Sequence, residues 1–340
     1  MTPAPATEAG DVVWLRVGEA MPSAARREAG RLAARIALGT DRANDLALAV
    51  TEAATNLQRH SSDGALALRI ESRGRPAGVE FLALDSGPGI TDIRAALTDG
   101  ISSAGTLGLG LGAINRLADT FGIHSLPGRG TALLARFYPR GAAAPAAGGA
   151  VGGLTRPITG EELCGDTWAT REGSTGTLVM MCDGLGHGPL AARVAETARL
   201  AFRESRATAP AQIVQDLHVR LKGSRGAAVA VARVDGPGHR VELSGAGNIS
   251  GFVLGPDIRR TLLSTPGIVG HSISRLQTFE AELPPGAALV LHSDGLSNRW
   301  TPTDFPGLLA LDPVLIAGQL LWQAGTRGDD AGIVVVKADR

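Results

Sequence analysis

The chain has 340 residues, long for one domain and comfortable for two, and 44% of them are apolar, enough for sizeable cores. Lys+Arg and Asp+Glu both number 33, so the formal net charge is zero, which removes the usual electrostatic ground for binding nucleic acid or an acidic membrane. The two cysteines, Cys164 and Cys182, cannot build a disulfide framework and form no C-x-x-C pair, so a reduced cytosol is the default.

The N-terminal MTPAPATEAGD has neither the basic start nor the apolar core of a signal peptide, and no later stretch approaches the ~20 apolar residues of a membrane helix. A soluble, cytoplasmic protein is expected. VVWLRV (12–17) reads as a strand, SAARREAGRLAARIAL (23–38) as a helix led by Pro22, and DRANDLALAVTEAATNLQRH (41–60) as a second helix. ALALRIES (65–72) and GVEFLALD (78–85) read as strands. A glycine-rich loop then enters a third helix, AINRLADTFG (113–122), ended by Gly122, and the turn PGRG introduces a last strand, TALLARFY (131–138). This order predicts an α/β sandwich with one sheet covered on one face. PRGAAAPAAGGAVGGL (139–154) has linker composition, so the expected division is 1–138, a linker over 139–155, and 156–340. The second part alternates apolar runs at 175–183, 226–234, 239–247, 249–255, 287–294 and 331–337 with helical stretches near 189–205, 209–222 and 312–324. Two antiparallel sheets flanked by helices are expected there.

In the second helix, Leu46, Val50, Ala53, Ala54 and Leu57 form one apolar stripe, with Glu52 and Asn56 on the opposite face beside Asp45 and Arg59. A solvated helix face is the bland reading. The sharper one has Glu52 activating a nucleophile and the Asn56 amide oxygen holding Mg²⁺, which takes hard oxygen ligands and keeps several waters. LALDSGPGI (82–90) ends a strand at Asp85 and places Gly87 and Gly89 around a proline. It is either a tight turn or an adenine contact with room for close backbone approach. GTLGLGLG (105–112) runs into a helix, where backbone N–H groups attract phosphate. It is not a Walker A loop, because no Lys-Ser/Thr follows, and it comes too late in the chain for a dinucleotide fingerprint.

E-x-x-x-N on a helix, D-x-G-x-G after a strand and a glycine-rich lid before a helix together resemble the GHKL (Bergerat) ATP-binding fold. Within it they look most like the RsbT-type serine kinases that act on anti-sigma-factor pathways, over roughly residues 10–138. The resemblance implies Glu52 as general base and Asn56 as Mg²⁺ ligand. It implies Asp85, Gly87 and Gly89 around adenine, and Gly105, Thr106, Gly108, Gly110 and Gly112 around the phosphates of ATP. Several GHKL modules bind nucleotide without transferring phosphate, so both outcomes stay open.

Downstream, Asp166, Asp183, Asp294 and the pair Asp329–Asp330 each lie beside a glycine at an apolar strand end. One such D-G is a turn. Four in one domain are harder to explain so, because charge at the edge of a core is costly unless paired or metal-bound, and only Arg171, Arg299 and Arg327 lie close in sequence. Carboxylates, carbonyls and waters are the ligand set of Mg²⁺ and Mn²⁺, and two such ions can activate water against a phosphate.

The pattern GD…DG-x-GHG…GN…SDG…DD resembles the PPM-type serine/threonine phosphatases of the SpoIIE branch and its small RsbX-like members, from about residue 156 to the end. It implies Asp166, Asp183, the Gly184 carbonyl, Asp294 and Asp329 as the metal site, with Asp330 the weaker candidate of its pair and Asn248 a supporting group. AGIVVV follows the last Asp pair where many relatives carry Ser or Thr, at positions not expected to ligate. His187 reads as a general acid, a cap for the helix starting near Pro189, or a solvent-facing group; Cys182 and His292 read as packed residues.

The two resemblances together imply a fusion of a Bergerat α/β sandwich and a PPM-type α-β-β-α sandwich. ATP, Mg²⁺ and Mn²⁺ are the implied cofactors. The implied substrate is a Ser or Thr on a STAS-type anti-sigma antagonist, with a sigma factor and a homodimer as further candidate partners and no nucleic acid or membrane. The N-terminal part would phosphorylate that partner or only trap it, and its ATP would dock the substrate or gate the phosphatase. A chaperone-type GHKL ATPase is disfavoured, because this part ends directly in a linker.

Overall fold

The computed structural model describes residues 8–61, 63–71, 76–98, 110–141, 150–173, 176–235, 239–256 and 258–338. The chain divides into two compact units, Gly10–Gly149 and Ala150–Arg340, the latter joined by Glu8 and Ala9. Those two residues, expected in the first part, lie along the strand that holds Trp168. The Ala9 N–H donates to the Trp168 carbonyl at 2.9 Å, and Glu8 pairs with Arg199 and with Arg203.

The N-terminal unit contains β1 (Val13–Arg16), α1 (Met21–Arg35), α2 (Thr40–His60), β2 (Gly64–Glu71), β3 (Gly78–Asp85), α3 (Ile93–Leu97), α4 (Gly110–Leu117), β4 (Thr120–Leu126) and β5 (Gly130–Phe137). Its antiparallel sheet runs β1-β2-β3-β5-β4. The stripe Leu46, Val50, Ala53, Ala54 and Leu57 is buried and packs with Leu66, Leu68, Phe81, Leu133 and Phe137 of the sheet. Each fully buried large side chain there is worth about 1.5–3 kcal/mol, and the alanines let α2 lie close to the strands. The third helix ends at Leu117 rather than at 122, and Thr120–Leu126 forms an edge strand. Thr120, Phe121 and Ile123 face Arg136, Ala135 and Leu133 of β5, so strand pairing overrides the helical reading of this short segment.

The C-terminal unit contains β6 (Val151–Arg156), β7 (Asp166–Gly173), β8 (Gly176–Gly184), α5 (Gly188–Glu204), α6 (Pro210–Arg220), β9 (Ala227–Asp235), β10 (Arg240–Ala246), β11 (Ser250–Leu254), β12 (Arg259–Leu262), β13 (Gly267–Ile268), β14 (Ser272–Ile273), β15 (Thr278–Glu282), β16 (Ala288–His292), α7 (Pro313–Ala324) and β17 (Ala331–Lys337). Two antiparallel five-stranded sheets, β15-β10-β9-β8-β7 and β12-β11-β16-β17-β6, face each other across Trp168, Met181, Leu243, Leu289, Leu291 and Val334. Helices α5 and α6 cover the outer face of the first sheet through Val194, Phe202, Ile213 and Leu217, and α7 packs on β6 and β17. The result is an α-β-β-α sandwich.

Strand β6 occupies residues 151–155, which composition assigned to the linker. Its glycines serve packing instead. A methyl on Gly152 would collide with the backbone of Val314 at the start of α7, and one on Gly153 would stand 2.6 Å from the Trp168 ring. Among the described residues no helix is long and apolar enough to cross a membrane.

Candidate functional site

In the N-terminal unit, α2 carries Glu52 and Asn56 one turn apart, both half-buried. The first residue of α4, Gly110, lies against Asn56: a methyl there would be 3.7 Å from Nδ2. A helix N-terminus and an amide oxygen thus share one spot, an arrangement that suits a phosphate and its cation. Gly112 is buried in the same helix, whereas Gly105, Thr106 and Gly108 lie outside the described residues.

Asp85 closes β3, and its Oδ1 accepts the Gly87 N–H at 2.7 Å. Burial raises its carboxyl above the ordinary value, opposed by the backbone N–H groups of Gly87 and Thr131. Gly87 and Gly89 are needed for packing within the protein. A methyl on Gly87 would stand 2.6 Å from the His60 carbonyl oxygen, and one on Gly89, where φ is +70°, would meet the Leu126 carbonyl. The D-x-G-x-G turn therefore anchors β3 against the end of α2 and the β4–β5 hairpin, and that holds Asp85 in place.

In the C-terminal unit, Asp166 begins β7 and pairs in register with Asp183 near the end of β8. Asp294 follows β16, and Asp329 and Asp330 precede β17, so both sheets bring acids to one end of the sandwich. Asp183 is within hydrogen-bonding reach of Asp166 and Asp294. Burial, then the charges of Asp294, Asp329 and Asp330, push Asp183 up to about 7. Asp166 is raised well above the carboxylate range by burial and by Asp183, and Asp294 is raised by burial and by Asp329. Among the described residues none of the five forms an ion pair with Arg or Lys. Arg171 is directed at the Ala207 carbonyl and the Phe202 ring, and Arg327 lies over Trp322.

The two neighbouring aspartates differ. Asp330 is buried, with Oδ1 accepting the Ile158 N–H and Oδ2 the Gly165 N–H, each at 2.7 Å, so it ties the loop before β7 to β17. Asp329 accepts only the neighbouring Asp330 N–H, at 2.9 Å, which leaves its other oxygen open. That asymmetry favours Asp329 as a ligand.

Sequence reasoning missed Ser293. Its hydroxyl donates to Asp166 at 2.5 Å and accepts the Gly332 N–H at 3.0 Å, so it orients that buried acid. A serine directly before an Asp at a strand end was the only available signal. Asn248 donates to Asp294 at 2.6 Å. His187 occupies the N-cap position of α5, but its side chain does not cap the helix; its Nδ1 lies 3.3 Å from Glu161. His292 is fully buried against Phe252, and burial lowers it to about 4, so it is a neutral packed ring. Cys182 lies in the core between the first sheet and its helices.

The donor set fits a hard divalent cation: carboxylates that disfavour one another's charge and that, among the described residues, pair with no Arg or Lys. Among the described residues no three His, Cys, Asp or Glu side chains are grouped so as to hold a metal ion on their own. Waters would complete the coordination of a cation held there, as Mg²⁺ prefers.

A model of histidine kinase-like ATPase domains matches residues 19–137, and one of stage II sporulation protein E (SpoIIE) matches residues 173–337. The serine/threonine-protein kinase RsbT of Bacillus subtilis (strain 168) is 36% identical over 113 residues, 33% of this chain and 84% of that protein. A chain of the structure reported as "The bacterial stressosome: a modular system that has been adapted to control secondary messenger signaling" is 32% identical, covering 55% of this chain and 98% of its own, with a TM-score of 0.51. RsbX in complex with magnesium is 18% identical, covering 54% of this chain and 92% of its own, with a TM-score of 0.48.

Proposed function

Over its N-terminal unit the chain belongs to the family of the serine/threonine kinase RsbT, and it joins that domain to a SpoIIE-type PPM phosphatase domain; from that premise we propose that it regulates a bacterial partner-switching pathway by removing phosphate from serine or threonine of a STAS-type partner. One observation carries the phosphatase reading: carboxylates from both sheets share one end of the sandwich, and among the described residues none of them pairs with Arg or Lys. Asp166, Asp183, the Gly184 carbonyl, Asp294 and Asp329 would hold Mn²⁺ or Mg²⁺. The metal would supply Lewis acidity toward phosphate oxygens and lower the pKa of water. Ser293 holds the Asp166 carboxylate in orientation, Asn248 does the same for Asp294, and Asp330 fixes the loop that carries Gly165.

The test is Mn²⁺-dependent phosphate release from a generic phosphomonoester by wild type and by Asp183→Ala. Release that requires metal and is lost in the variant supports the reading. Equal release from both proteins, or none from wild type, overturns it.

The N-terminal unit is read as an ATP site, with Asn56 on Mg²⁺, Asp85 on adenine and the start of α4 toward the phosphates. As a kinase it would use Glu52 to accept the proton of the partner's hydroxyl. The competing reading is an ATP-dependent partner trap without transfer. It is favoured by Glu52 itself, whose side chain has no hydrogen bond among the described residues to orient it. Labelled ATP and a STAS protein separate the two: transfer abolished by Glu52→Ala supports the kinase, and ATP-dependent binding without transfer supports the trap.

A further inference from the structure

Beyond the last paired residues of β8 and β9, Gly184 and Ala227, the two segments remain joined: the Leu185 N–H donates to the Gly226 carbonyl at 3.0 Å. Continuing the register puts Gly186 opposite Arg225, and a methyl on Gly186 would stand 3.0 Å from Arg225 Nη1. The guanidinium therefore lies against the loop that immediately follows Asp183 and Gly184. It is exposed, and among the described residues it has no carboxylate partner.

The backbone beneath it is held firmly. The Ser224 hydroxyl donates to the Leu221 carbonyl at 2.7 Å and accepts the Gly226 N–H at 3.0 Å, and His271 Nε2 donates to the Ser224 carbonyl at 3.0 Å. Gly226 sits at φ +81°, with the Val269 carbonyl 2.9 Å from where a methyl would be. A fixed turn thus carries the Arg225 side chain next to the loop that follows Asp183, with no carboxylate partner among the described residues.

A phosphate dianion approaching these carboxylates is repelled until cations are bound, and it gains from a planar donor on the neighbouring loop. We propose that Arg225 binds the phosphoryl oxygens of the substrate, as a bidentate guanidinium contact that sets affinity rather than metal binding. The assignment rests on the phosphatase reading of the neighbouring aspartates.

The experiment measures p-nitrophenyl phosphate hydrolysis by the full chain with Mn²⁺, comparing wild type, Arg225→Ala and Arg225→Lys. In Arg225→Ala, KM should rise about tenfold or more, with kcat within about threefold and inhibition by inorganic phosphate weakened in parallel. Arg225→Lys should recover part of the loss, because it keeps the charge but not the fork. Half-activation by Mn²⁺ should be unchanged in both variants.

An active wild type with unaltered KM and phosphate inhibition in Arg225→Ala overturns the assignment alone. This includes the case of a defect seen only with a phosphoprotein, which would make Arg225 a protein-docking residue. A wild type that releases no phosphate overturns the phosphatase reading, and the assignment with it.

Discussion

The two units treat buried charge in opposite ways. In the N-terminal unit Glu80 is fully buried between Arg69 at 2.7 Å and Arg136 at 2.6 Å. Arg42 there binds Asp45 and Asp119 together with the Leu117 carbonyl. In the C-terminal unit the buried acids meet other acids, one serine and backbone N–H groups. Desolvating a charge costs several kcal/mol, and a partner of opposite sign must compensate it. Where the partner is a side chain, the group belongs to the architecture. Where it is missing, a bound cation would have to supply the compensation. The neutral net charge of the whole chain conceals this separation.

Substitutions in each unit test that contrast. The largest effect is expected from Asp183→Ala, which should lower metal-dependent phosphate release by about a thousandfold, the rate equivalent of several kcal/mol of lost charge stabilisation. Its fold should persist, because one of several mutually repelling charges is removed. Next is Glu80→Ala, which removes the buried carboxylate that Arg69 and Arg136 both hold and should destabilise the N-terminal unit by about 3–5 kcal/mol in denaturant unfolding. A wild-type midpoint for this variant would break the distinction between paired and unpaired charge.

Asn248→Ala removes the donor to Asp294 and should raise the Mn²⁺ concentration for half-activation by about tenfold, with little change in melting temperature.

The smallest effect is a pH slope in the metal-free protein. Asp183 keeps its proton up to about pH 7 when folded, against an ordinary value of 3.8, so the folded state binds more protons between those limits. The stability from this group is fully present below about pH 4 and is lost as pH rises through 7. Raising pH from 5.5 to 7.5 should therefore lower the melting temperature of the C-terminal unit by a few degrees. Asp183→Asn should lose that slope, and Mn²⁺ should oppose it, because it binds the deprotonated carboxylates. A slope unchanged in Asp183→Asn would mean that other groups carry it.

Much of the architecture was legible because it is written in local patterns. The α2 stripe has helical spacing, and β3 lies at residues 78–85, where apolar composition and the following turn residues place it. What stayed hidden depends on distant partners. β4 exists because β5 is beside it, and β6 because β17 pairs with it and α7 and Trp168 press on its glycines. In isolation both segments carry helix or linker signals. Ser293 and Arg225 were passed over for the same reason: a lone serine and a lone arginine have no spacing to read.

The sequence by itself determined the two-domain plan, the residue types of both candidate sites and the order in which they occur, since composition, period and motif spacing are properties of the chain alone. Only the tertiary structure decided how the acids are used. It gave both Asp330 oxygens to backbone N–H groups and left one Asp329 oxygen open, set Ser293 under Asp166, and laid Arg225 beside Gly186. The physical reason is that desolvation and hydrogen-bond satisfaction are settled by neighbours far away in sequence, and those neighbours exist only once the two sheets have packed.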